Sequence, residues 1–105
     1  MPQADLSYSA SIEFDGAKAL AVVEDVIKSF DGTSGDCKGR AIVVPITHHD
    51  HVLLRVAVLE KPHRNAEFMA DLCKNLAEAL KPLIPTDTIF NVEVSFLSTY
   101  NLTVM

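Results

Sequence analysis

An α+β domain of order β-α-β-β-α-β, with a four-stranded mixed sheet and two helices on one face, is predicted by three observations. Residues 3–10, 40–47, 51–60 and 88–97 read as strands. Residues 16–30 and 66–81 repeat apolar side chains at helical spacing. No linker or low-complexity stretch divides the 105 residues, so 1–105 make one domain.

Each element has its own signal. The first strand alternates Ala4, Leu6, Tyr8 and Ala10 with Asp5, Ser7 and Ser9, the period of a half-buried strand. The first helix stacks Leu20, Val23, Ile27 and Phe30 on one face, widened by Val26; Asp15 is placed to cap it and Asp31-Gly32 to stop it. Three of the four glycines then fall in the irregular stretch Asp31–Gly39. Arg40 to Thr47 is rich in β-branched residues, and Pro45 marks a strand end or an edge. His51 to Glu60 is apolar on both faces except at Arg55, as in a central strand where Arg55 is a paired structural residue. Asn65 caps the second helix, whose stripe is Phe68, Leu72, Leu76 and Ala79/Leu80, and Pro82 and Pro85 end it. The last strand alternates Phe90, Val92, Val94 and Phe96 with Asn91, Glu93 and Ser95, and the tail Thr99–Met105 has room for a short extra strand. With both helices on one face, the other face is expected to carry uncovered Ala, Leu, Val and Phe. Such a face predicts self-association into a closed ring.

Composition narrows the function. Hydrophobic residues are 49% and charged residues 22%, which excludes disorder. A net charge of −5 and a pI near 5.2 argue against nucleic-acid and anionic-membrane partners. No apolar run reaches transmembrane length and the first residues lack signal-peptide features. Cys37 and Cys73 fit no metal or redox spacing and read as free thiols, so the expected compartment is the cytoplasm.

Pro2 is the candidate catalytic residue. If Met1 is removed, its nitrogen becomes a secondary amine at the chain end, where the unperturbed pKa is about 8 and desolvation lowers it toward neutrality. With Met1 in place, the same nitrogen is an amide without basicity. His48, His49 and His51 invite a metal reading, but a zinc site needs three or four convergent ligands and only Asp50 lies nearby. A polar hairpin turn is the better reading. His63, beside Arg64, reads as a residue lining an anionic pocket or as a loop residue, and the loop is the better reading; for Tyr8, approach to the site and burial are equally good readings.

Met1-Pro2, the strand leading into Tyr8-Ser9-Ala10-Ser11, and the β-α-β-β-α-β order together resemble the tautomerase superfamily, most of all the 5-carboxymethyl-2-hydroxymuconate isomerases. Asp36-Cys37-Lys38-Gly39-Arg40 corresponds to that family's basic Gly-Ile-Arg-Ser-Arg-like segment, and Pro62-His63-Arg64-Asn65 to its Gly-Arg-Ser-like turn. The resemblance implies a homotrimer with sites near subunit boundaries and no metal or organic cofactor. It also implies that Pro2 moves a proton between carbons of a small anionic unsaturated keto acid. Arg64, Arg40 and Lys38 would then bind substrate carboxylates, since cations offset the charge of a developing dienolate. Three departures bear on the substrate: Lys38 in place of an arginine loses the bidentate fork, Ser11 replaces the usual Asn, and the segment Thr47–Val52 is short. Arg64 and Lys38 also read as solvated surface charges. A non-catalytic trimer of the same fold, with Pro2 as a strand residue, is the competing reading.

Overall fold

The computed structural model, which describes residues 1–104, runs β1 (Gln3–Ser9), α1 (Gly16–Phe30), β2 (Lys38–Val44), β3 (His51–Val58), α2 (Ala66–Leu80), a 3-10 turn at Lys81–Leu83, and β4 (Ile89–Phe96). This is the expected element order. The sheet order is β2-β1-β3-β4; β1 and β2 are parallel, β3 and β4 are parallel, and β1 runs antiparallel to β3. Each helix therefore crosses between two parallel neighbours, and the β1–β3 ladder joins the two halves.

Local chemistry sets the helix ends. Asp15 accepts the Lys18 backbone N–H at 3.0 Å and Asn65 accepts that of Phe68 at 2.9 Å, so both expected N-caps form. The end of α1 differs from expectation. Asp31 is the C-cap in an extended conformation, and no glycine among the described residues has positive φ, so Gly32 supplies no left-handed stop. Instead the Asp31 carboxylate accepts the Thr33 N–H at 2.9 Å and turns the chain.

The helices pack on each other and on one sheet face. Ala19, Val23 and Ile27 of α1, with Leu72, Leu76 and Leu80 of α2, close over Ala4, Leu6, Val52, Leu54, Val56 and Val58, none more than 2% exposed. Burying each larger side chain contributes roughly 1.5–3 kcal/mol. Gly39 lets β2 approach α1, because a Cβ there would lie 2.9 Å from Leu20 Cδ2.

Three features depart from the sequence expectation. The helix-free face is not a sheet of Ala, Leu, Val and Phe, because alternation turns Ala4, Leu6, Phe90, Val92, Val94 and Phe96 toward the helices. Its middle row is Arg40–Asp5–Arg55–Glu93, one residue from each strand in direct register, flanked by Gln3, Ser7 and Asn91 with Ile42, Leu53 and Ile89. Asp5 accepts from Arg40 Nε at 2.6 Å and Glu93 from Arg55 Nε at 2.9 Å. Second, the segment 45–50 is not a hairpin, since β1 lies between β2 and β3. It arches over the end of β1, where the fully buried Ser9 hydroxyl accepts the His51 N–H at 3.0 Å and the Thr47 hydroxyl at 2.9 Å. Third, residues 97–104 form no strand, and Tyr100, Leu102 and Val104 are each more than 80% exposed. Met105 lies outside the described residues.

Ser9→Ala should lower the unfolding free energy by about 1–3 kcal/mol, because the His51 amide beneath the arch is left without its acceptor. Urea denaturation followed by circular dichroism measures this.

Candidate active site

Pro2 is buried at the entry to β1, where its carbonyl accepts the Lys38 N–H at 2.8 Å. The pairing of Gln3 with Ala57 continues backward to place the chain start beside Val58 and Leu59. Met1 reaches over the other flank: a Cβ built on Gly35 would lie 3.5 Å from its Cγ. The N-terminus thus sits between two loops, 31–37 after α1 and 59–65 before α2.

One buried cluster ties those loops together. The Arg64 side chain is only 2% exposed and that of Asp31 6%. Arg64 Nε donates to Asp31 Oδ2 at 3.0 Å, Nη1 to the Leu59 carbonyl at 2.6 Å and Nη2 to Ser34 Oγ at 2.9 Å. The second Asp31 oxygen accepts the Thr33 N–H and hydroxyl at 2.9 and 2.7 Å. His63 Nε2 lies 2.9 Å from Asp31 Oδ2, and Lys61 Nζ donates to the Thr33 carbonyl at 3.1 Å. Burial pushes the Asp31 pKa up, but hydrogen bonds from His63, Thr33 and Arg64 outweigh it and hold the carboxyl well below its ordinary range. Asp31 is therefore an anion that balances the buried guanidinium.

The four residues singled out from the sequence are placed unequally. Pro2 and Arg64 lie at the same end of the sheet, and Lys38 enters β2 there with its side chain exposed. The Arg40 guanidinium points to the helix-free face, bonded to Asp5 at 2.6 Å and to Gln3 Oε1 at 3.0 Å. Arg64 is no surface charge. Tyr8 packs on Phe14 at the far end of β1, with ring centroids 5.0 Å apart. Burial, with Glu24 nearby, raises the pKa of the Cys37 thiol, which keeps it protonated at neutral pH. An apolar cleft of ≈ 430 Å³ between α2 and the start of β4, lined by Ile84, Pro85 and Phe90, opens at the end of the sheet opposite Pro2.

Asp31, Thr33, Ser34, Lys61 and the pairing of His63 were not singled out from the sequence. The Asp-Gly-Thr string at 31–33 carried a signal for the Asx-type turn, but nothing local announced its partner 33 residues away.

The backbone has the fold of the tautomerase superfamily. It superimposes on a macrophage migration inhibitory factor-like protein of Entamoeba histolytica with TM-score 0.68 and 12% identity, over 99% of this chain and 95% of that one. A 5-carboxymethyl-2-hydroxymuconate isomerase of Deinococcus radiodurans matches with TM-score 0.67 and 14% identity, over 99% and 88%. A fused 4-OT symmetric trimer matches with TM-score 0.65 and 13% identity, over 98% and 93%. No protein-family model and no curated sequence matches the chain, so the likeness is one of backbone.

Asp31→Asn should cost about 3–5 kcal/mol at pH 7, because it leaves Arg64 buried without a counter-charge. Asp31 has a depressed folded pKa, so its contribution is fully present above the ordinary carboxylate value of 3.8 and is lost as the pH falls below it. Urea titrations at pH 7 and pH 3 should show the gap between wild type and variant narrowing at the lower pH.

Proposed function

We propose that this chain is a cofactor-independent isomerase of small unsaturated keto acids, with the Pro2 nitrogen as general acid/base once Met1 is removed. The observation that carries this reading is the position of Pro2: buried, at the chain start, between two loops clasped by a buried cation–anion pair. A secondary amine there is short of water, which lowers its pKa toward neutrality and makes it a base. Met1 is 45% exposed, which leaves the bond to Pro2 open to removal. Lys38 is the exposed cation at this end and is assigned to a substrate carboxylate. Arg64, its charge balanced by Asp31, holds the two loops beside the chain start. Arg40, which shares the helix-free face of β2 with Lys38 two residues away, is assigned with it to a site shared with a neighbouring subunit, in keeping with a homotrimer. The fused 4-OT neighbour is a symmetric trimer, and the exposed Tyr100, Leu102 and Val104 give this chain apolar surface for such contacts. The two free thiols suit a reducing compartment such as the cytoplasm.

The isomerase neighbours support the reaction class, and a malonate semialdehyde decarboxylase of the same fold (TM-score 0.63) marks how far chemistry varies on it. The second reading, a non-catalytic protein of this fold, is favoured by one observation. All three arms of the Arg64 guanidinium are engaged by Asp31, Ser34 and Leu59.

Intact-mass measurement on protein from its native source should show Met1 absent. The protein with free Pro2 should ketonise phenylenolpyruvate or 2-hydroxymuconate, and Pro2→Ala should lose about 10²–10⁴-fold in kcat. A folded protein with free Pro2 that turns over neither enol excludes the isomerase reading.

A further inference from the structure

We propose that Asp31 and His63, in the two loops that flank the chain start, form a proton-carrying dyad in which His63 serves the substrate oxygen while Pro2 serves the carbon; this rests on the isomerase reading above. His63 is fixed from two directions, as a surface loop histidine need not be. Its Nε2 lies 2.9 Å from Asp31 Oδ2, and its ring meets the Phe68 ring edge-on at 5.5 Å and 85°. A carboxylate oxygen only accepts, so Nε2 carries the hydrogen and Nδ1 is the free nitrogen. Among the described residues Nδ1 has no hydrogen-bond partner, and the side chain is 45% exposed. One ring nitrogen is thus anchored on a buried anion while the other has no partner among the described residues. Arg64 and Thr33 also bind Asp31, so the carboxylate stays ionised whichever proton His63 holds.

The Arg64 fork is bonded to the protein and Lys61 Nζ to Thr33. His63 belongs to the loop 59–65 that flanks the chain start, and its imidazole is the side chain of that loop that can act as donor at one nitrogen and acceptor at the other.

The step balances without a co-reactant. The Pro2 nitrogen takes a proton from the substrate carbon; the C–H electron pair becomes the new C=C bond, and the carbonyl π pair moves to oxygen. The Nδ1–H of the His63 imidazolium, which Asp31 stabilises, passes its proton to that oxygen and gives a dienol. In the return step neutral His63 takes the hydroxyl proton and the C=O reforms. The electron pair shifts to the distal carbon, which takes the proton from Pro2.

The test uses the protein with free Pro2 and the two enols named above. His63→Ala should lower kcat about 100-fold with little change in KM. Added imidazole should restore part of the activity of His63→Ala and none of Pro2→Ala. His63 is half-exposed, so the variant should keep its fold; thermal melting checks this, and His63→Gln provides a second substitution. Turnover by both variants within about twofold of wild type, where general acid–base loss predicts far more, overturns the dyad while leaving Pro2 in place. A loss that imidazole leaves untouched assigns His63 a structural role and also overturns it. A wild type that turns over neither enol removes the isomerase reading and the dyad together, a result distinct from an active wild type with indifferent variants.

Discussion

The buried pair of Asp31 and Arg64 is the interaction on which this structure's functional end depends. Asp31 closes α1 in the first β-α-β half, and Arg64 precedes α2 in the second. Moving two such charges from water costs several kcal/mol each, and only mutual attraction with complete hydrogen bonding offsets that. The protein meets the condition: no buried side-chain nitrogen or oxygen among the described residues lacks a partner. Because the pair reaches Thr33 and Ser34 on one side and Leu59 and His63 on the other, it fixes two loops relative to each other. The chain start lies between those loops.

The sheet divides its labour by face. Toward the helices it is apolar and closely packed. Away from them, Arg40, Asp5, Arg55 and Glu93 alternate in sign across all four strands, so every cross-strand neighbour in that row is an opposite charge. Arg40 and Arg55 are half or more exposed, so each pair contributes only about 0.2–1 kcal/mol. The row keeps the face soluble in a single chain and favours the observed register. Alternation along β2 sends Arg40, and Lys38 with it, to the opposite side from Gly39, which faces α1.

Helices were the most legible part of the chain, because their signals are local. Asp15 and Asn65 lie within three residues of the amides they cap, and the stripe Leu72, Leu76, Leu80 repeats at helical spacing. Strands were legible as elements and less so at their ends. β2 begins at Lys38 rather than Arg40 because pairing with Gln3 and the Pro2 carbonyl extends it through residues with little strand preference of their own. The segment 45–50 read as a hairpin because adjacency in sequence suggests adjacency in space. The arch over β1 exists only because β1 pairs with both of its neighbours.

Resemblance of short segments to a known family made Arg64, Arg40 and Lys38 candidates. The sequence by itself determined the element order, the helix N-caps, the apolar stripes and the candidacy of Pro2. Each rests on residue chemistry or on contacts spanning a few positions. Tertiary structure decided which of those residues meet. It buried Arg64 against an aspartate 33 positions earlier, drew His63 into the same cluster, and paired Arg40 with Asp5 on the helix-free face. The physical reason is that charge pairing and burial depend on distance in space, which strand register and helix crossover set and local spacing does not encode.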